Sequence, residues 1–238
     1  MPFLHPPRLF QPLWKEWDYK AQRKGFTRNV YSVNGNVYAG EWLNNKKHGK
    51  GLYTCKKTNT VYTGDWLEDK RSGQGTLTNG KKKGLKKEYC GGWKDGLRHG
   101  YGTLFYSEKE FYEGEWLAGK KSGWGRMFYK DGTIYEGEWA DDKRCGQGLL
   151  QMNNGNRYEG TWENNVKNGC GKLFYLDTGQ VFEGVWKDDI PKCGVMRDFG
   201  RDSAPFQTPY PIPEIRLADP DSVLSQADMF LKIQDTDI

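Results

Sequence analysis

The stretch YEGEWLAGKKSGWG at residues 112–125 decides the fold, and it returns at 135–148 as YEGEWADDKRCGQG. Its first five residues have period 2, so Tyr112, Gly114 and Trp116 belong to one face of a β-strand while Glu113 and Glu115 belong to the other. Working outward, aromatic-x-Gly-x-Trp begins at Tyr38, Tyr62, Tyr89, Tyr112, Tyr135, Tyr158 and Phe182, at spacings of 24, 27, 23, 23, 23 and 24 residues. Seven of the ten tryptophans thus fill one position of a repeat. Seven residues after each of the first six stands Gly-x-Gly, from Gly49/Gly51 to Gly169/Gly171; in the seventh repeat those positions are Cys193 and Val195.

Each repeat reads as one β-hairpin. Three residues after each Trp comes Asn45, Asp69, Gly96, Gly119, Asp142, Asn165 or Asp189, all types that tolerate the positive φ of a tight turn. Gly-x-Gly then leads to Tyr53, Leu77, Leu104, Met127, Leu150 or Leu173. Period 2 predicts that both glycines and this apolar residue share a face, leaving room for the rings of neighbouring strands. Asn34-Gly35, Asp131-Gly132, Asn154-Gly155 and Thr178-Gly179 supply second turns. A unit of 23 residues is too short for a propeller blade and contains no helix. Between a β-helix and a meander of stacked hairpins, short turns at both ends favour the meander. Fourteen strands without a second layer follow, and their aromatic face needs a cover.

Composition agrees. The 35 aromatic residues outnumber the 33 Leu, Ile and Val, and 31 glycines are present in 238 residues, which excludes the aliphatic core of a helical bundle or doubly wound sheet. A mean hydropathy of −0.90 and the lack of any long apolar run exclude a membrane-spanning helix. No secretory leader is recognisable. Five cysteines without a CxxC spacing read as free thiols of a reducing compartment, hence a cytoplasmic or cytoskeletal protein. Net charge is +4 over residues 1–37, +5 over 38–196 and −4 over 197–238.

The run Y-E-G-E-W-x-x-[G/D]-K-[K/R]-x-G-x-G resembles the MORN repeat (membrane occupation and recognition nexus), and the resemblance covers about residues 38–196. It implies an all-β repeat fold: an elongated, twisted single-layer antiparallel sheet of about seven hairpins, with a groove that binds helices or extended peptides of partner proteins. It also implies a ciliary, flagellar, axonemal or sperm-development setting, with the sperm flagellum and acrosomal vesicle surface among the places expected. The domains are an N-terminal flank with a short helix and entry strand (1–37), seven repeats (38–61, 62–88, 89–111, 112–134, 135–157, 158–181 and a partial 182–196), and a C-terminal segment (197–238).

Leu13, Trp14, Trp17 and Ala21 predict a helix within 13–24 that Gly25 stops. Residues 204–215 hold four prolines and should run extended. Asp219-Pro220-Asp221-Ser222 opens a helix whose stripe is Val223, Leu224, Ala227, Phe230 and Leu231; it either caps the protein's own sheet or is displayed to a second protein. Lys81, Lys82, Lys83, Lys86 and Lys87 mark an enlarged hairpin tip.

Nothing in the chain resembles a catalytic motif. No Walker loop, HExxH, GxSxG or calcium loop occurs, and His48 and His99 fill a slot elsewhere occupied by Ser72, Ser122, Cys145 and Asn168. Paired carboxylates such as Asp141/Asp142 and Glu136/Glu138 read as solvated repeat positions. The expectation is a non-enzyme without metal, cofactor or nucleic-acid partner. Two binding surfaces remain. One is an aromatic groove of Tyr112, Trp116, Tyr135, Trp139, Tyr158 and Trp162, whose inner parts form the core and whose edges face a partner. The other is a basic edge of Lys47, Arg71, Arg98, Lys121, Arg144 and Lys167, which serves as a solubilising rim or meets an anionic partner such as phospholipid headgroups or the acidic surface of tubulin.

Overall fold

The structure, a computed structural model, describes residues 13–81 and 84–200. Its strands are antiparallel, and within each of two compact units sheet order is chain order. Contacts divide the chain into two compact units, residues 1–97 and 98–238. The first holds helix α1 (Leu13–Ala21) and strands β1 (Gly25–Tyr31), β2 (Val37–Leu43), β3 (Lys46–Cys55), β4 (Thr60–Leu67), β5 (Lys70–Lys81) and β6 (Gly84–Lys94). The second holds β7 (Leu97–Phe105), β8 (Phe111–Leu117), β9 (Lys120–Phe128), β10 (Ile134–Ala140), β11 (Lys143–Gln151), β12 (Arg157–Glu163), β13 (Val166–Tyr175), β14 (Gln180–Lys187) and β15 (Ile190–Asp198). Fifteen strands replace the fourteen of seven hairpins because β1 pairs in front of β2.

Both turn types follow from local chemistry. The turn after each Trp is a two-residue loop with both residues at positive φ, such as Ala118 (49°) and Gly119 (89°), or Asp141 (48°) and Asp142 (68°); this matches the twist of the flanking strands. The other ends close differently at 32–36, 129–133 and 152–156, where only the glycine (Gly35, Gly132, Gly155) is left-handed. These are three-residue loops built on a type I turn.

The seam of the sheet is a row of glycines, one per strand from β2 onward, with Thr27 of β1 opposite Gly40. In the second unit Gly102, Gly114, Gly125, Gly137, Gly148, Gly160, Gly171, Gly184 and Gly194 pair in succession across β7 to β15. Gly40, Gly51, Gly64, Gly75 and Gly91 do the same across β2 to β6. The tyrosines lie flat on this row: a Cβ on Gly125 would overlap the Tyr112 phenol, and one on Gly114 would meet Gly125 Cα at 2.5 Å. Glycine is therefore required by volume here, not by conformation.

The first glycine of each Gly-x-Gly behaves otherwise, which corrects the period-2 expectation. Gly123 has φ 62° and sits in a bulge: Gly114 pairs with Gly125 but Trp116 pairs with Lys121, so β9 holds extra residues. The bulge re-aims the backbone and leaves groups to be satisfied. Glu138 accepts the backbone N–H of Gln147 at 3.0 Å, and Asp65 accepts that of Gln74 at 2.9 Å. The paired carboxylates lie at the surface, as expected, and also take partners there. Glu136 pairs with Arg126 at 2.9 Å and Asp141 with Lys120 at 2.8 Å.

Three further expectations change. The seventh repeat, partial in sequence, is a full hairpin running from Gln180↔Asp198 to Lys187↔Ile190, because a one-residue shorter bulge brings Gly194 opposite Gly184. Helix α1 stops at Ala21; Gly25, at φ 77°, instead opens β1 as the counterpart of Gly49, since Gly25 faces Trp42 as Gly49 faces Trp66. Trp14 and Trp17 of α1 are 65% and 69% exposed, so this helix does not bury them. The Lys81–Lys87 insert lengthens the β5–β6 hairpin as paired strand out to Lys81↔Gly84. The proline segment and the helix expected within 219–231 lie outside the described residues.

Candidate functional site

The face that carries the tyrosines and tryptophans is built in three tiers. The lowest is a chain of edge-to-face ring contacts. In the second unit Tyr112 meets Trp116 and Trp139, each at 5.2 Å; Tyr135 meets Trp139 and Trp162 at 5.2 and 5.3 Å; Tyr158 meets Trp162 and Trp186 at 5.4 and 5.2 Å. The first unit repeats this from Trp42 to Trp93. Every Tyr and Trp polar tip of the array except that of Trp42 finds a backbone partner. Tyr135 Oη donates to the Glu138 carbonyl at 3.1 Å and Trp139 Nε1 to the Gly125 carbonyl at 3.2 Å. Burial pushes the Tyr38 phenol up to about 12, and Tyr62, Tyr112, Tyr135 and Tyr158 upward for the same reason. Trp42 Nε1, with no repeat before it, is buried without a partner among the described residues.

The six residues read as a groove do come together, but at 0–4% exposure they are core and their edges are closed. What closes them is the second tier, the basic residues read as an edge. Lys121 Nζ lies over Tyr112 and Trp139 at 5.0 and 4.6 Å. Arg144 lies over Tyr135 and Trp162 at 5.4 and 4.3 Å, and Lys167 over Tyr158 and Trp186 at 5.1 and 5.0 Å. Arg98 stands 4.1 Å above Trp116. In the first unit Lys47 covers Tyr38 and Trp66, and Arg71 covers Tyr62 and Trp93. Such contacts contribute roughly 0.5–2 kcal/mol, more where water is excluded. Burial holds Lys121 and Lys167 below the usual lysine range.

The same cations clamp the turns of the following hairpin. The backbone N–H of Lys47, Lys121 and Lys167 donates to Asp69, Asp142 and Asp189, each at 2.9 Å. Where the turn offers glycine instead, the cation is arginine: Arg71 Nη2 donates to the Gly96 carbonyl at 3.1 Å and Arg98 Nη2 to the Gly119 carbonyl at 3.0 Å. Arg144 does this with the Asn165 carbonyl at 2.6 Å.

The third tier escaped the sequence reading. Four residues after the second glycine of each repeat stand Cys55, Asn79, Tyr106, Tyr129, Met152 and Tyr175. Alternation puts them on the ring face beyond Leu104, Met127, Leu150 and Leu173. Tyr106 is exposed, with Lys121 Nζ 5.5 Å from its ring; Tyr129, Met152 and Tyr175 are half-buried. The signal was present as a fixed offset from Gly-x-Gly, but the residue types vary. The opposite face carries ion pairs such as Arg126–Glu136 and Lys172–Glu183 at 2.9 Å. His48 and His99 sit half-buried beside bulge glycines, and the described residues contain no cluster of three or more His, Cys, Asp or Glu suited to a metal. All five thiols are free. No described helix is long and apolar enough to cross a membrane.

Comparison with known proteins places this geometry. The MORN repeat signature matches residues 38–60, 62–82, 89–108, 112–134, 135–157 and 158–177. The chain is 64% identical to MORN repeat-containing protein 3 of Bos taurus over 232 residues, 95% of each chain. It is 60% identical to the Homo sapiens protein of that name over 243 aligned residues, covering both chains fully. It is 56% identical to that of Xenopus laevis over 229 residues, 95% of this chain and 96% of the relative.

Proposed function

The chain belongs to the MORN repeat family, whose repeats bind proteins or membranes, and from that premise we propose that it is a non-catalytic adaptor whose ring face holds a helix or extended segment of a partner protein. The observation that carries this reading is the third tier of the second unit. Tyr106, Tyr129, Met152 and Tyr175 stand accessible above a sealed aromatic floor, interleaved with Lys121, Arg144 and Lys167. Tyrosine anchors beside cations suit a partner whose apolar stripe is flanked by acidic residues. The cations are half-buried and committed to rings and turns, which supports a peptide reaching in over a flat anionic bilayer lying on the edge. By family resemblance the adaptor works in the cytoplasm or on the cytoskeleton of cilia, flagella or developing sperm, with axonemal or microtubule-associated partners.

The test is affinity capture from testis extract with the full chain and with Tyr106→Ser/Tyr129→Ser, after circular dichroism shows equal folding. The variant is expected to lose partners that the unaltered chain retains. Identical partner sets would count against the ring face, and binding to anionic vesicles without protein capture would replace this reading by a membrane one.

A further inference from the structure

The third tier is interrupted in the first unit. Where the second unit carries Tyr106, Tyr129 and Tyr175, β3 carries Cys55. The smaller side chain opens a cleft of about 330 Å³ over the second hairpin. Tyr53 and Leu77 form an apolar floor beside the Trp66 ring. The Thr58 and Thr60 hydroxyls, 2.7 Å apart, make one wall. Lys47 and Arg71 make the other, with Asp69 as the carboxylate between them, 3.6 Å from Lys47 Nζ.

Two cations and one carboxylate therefore line a partly enclosed space, with the Glu88 carboxylate acting on Arg71 from outside the lining. Burial lowers the Arg71 pKa, the mark of a guanidinium short of water, and an incoming anion offsets that loss of hydration. A carboxylate also accepts from the threonine hydroxyls. The apolar floor adds a second requirement, a nonpolar group held beside the acid. In an extended chain, side chains two residues apart lie on one face, which meets both requirements at once.

We propose that this cleft is an anchor subsite for an extended, acidic segment of a partner protein: a Glu or Asp seated between Lys47 and Arg71, with an aliphatic or aromatic side chain two residues away on Tyr53 and Leu77. The inference rests on the adaptor reading and names the chemistry of one part of its ring face.

The experiment is selection of phage-displayed dodecapeptides on the immobilised full chain, followed by fluorescence anisotropy with the best peptide. Selected peptides are expected to share an acidic residue two positions from an apolar one. Changing that acid to its amide should weaken binding about tenfold or more, the scale of a lost charged hydrogen bond. Cys55→Tyr, which installs the residue the second unit uses at this position, should block binding to a similar degree, whereas Tyr129→Ser should not. Thr58→Tyr at the exposed mouth repeats the block if Cys55→Tyr fails to fold. Peptides lacking an acid, or binding that both blocking substitutions leave unchanged, overturn the cleft. Loss with Tyr129→Ser alone discards the cleft and keeps the adaptor, while an empty selection discards both.

Discussion

Glycine in this protein does two separate jobs, and substitution separates them. At Gly125 an added Cβ would overlap the Tyr112 phenol, so Gly125→Ala is expected to destabilise the chain by about 2–3 kcal/mol in urea unfolding, an overpacking penalty. At Gly132, φ is 90° and an added Cβ would come no nearer than 3.8 Å to Asn153. Gly132→Ala should therefore cost only the left-handed backbone strain, about 1 kcal/mol. Equal losses at the two sites would mean that the tyrosine does not rest on the seam. The sequence showed that glycines recur. It did not separate the seam glycine from the bulge glycine, because both fall on the same side of a period-2 count and only cross-strand register tells them apart. The spacing of the basic residues is ambiguous for a related reason. Their spacing placed them after a turn, but an edge position and a position above the next repeat's Trp share that spacing.

Between elements, the clamp from each cation to the next turn has a rule written within the chain. Lysine precedes a turn with aspartate, as in Lys47/Asp69, Lys121/Asp142 and Lys167/Asp189, and arginine precedes glycine or asparagine. An aspartate or asparagine side chain accepts the backbone N–H of the basic residue before it, whereas a glycine turn leaves only its carbonyl, which a forked guanidinium reaches. Arg71→Lys is thus expected to cost about 1 kcal/mol, the net worth of a hydrogen bond. Adding Gly96→Asp should recover most of it, since Gly96 has φ 85° and Asp69 occupies the same conformation at 68°. A double-mutant cycle by denaturant unfolding measures the coupling; strictly additive losses would refute the clamp. The hairpins themselves were legible from the Trp-to-turn spacing. The entry strand's place in the array was not, since β1 has neither Tyr nor Trp at the repeat positions and reveals itself only through Gly25 facing Trp42 and Arg23 lying 5.0 Å over that ring.

For the molecule as a whole, stability depends on keeping buried phenols neutral. Five buried tyrosines of the aromatic floor, Tyr38, Tyr62, Tyr112, Tyr135 and Tyr158, have raised pKa values, Tyr38 at about 12. Because the folded values exceed the unfolded one of about 10, their contribution is complete below about pH 10 and is lost as pH rises through the folded values. Lys121 and Lys167, depressed by burial, act in the opposite sense but are fewer. Melting temperature should fall steeply above about pH 10, with phenolate absorbance rising in the same transition; tyrosines that ionise while the fold persists would contradict their burial. The sequence by itself determined the hairpin array, its aromatic surplus and its turns, because those depend on spacings of a few residues that local backbone geometry translates directly. Which groups remain accessible was decided only in the tertiary structure. The cation of one repeat covers rings of its own and the following hairpin, so the floor is sealed, the accessible tier lies two residues further along each strand, and a cleft opens where Cys55 stands in place of a tyrosine.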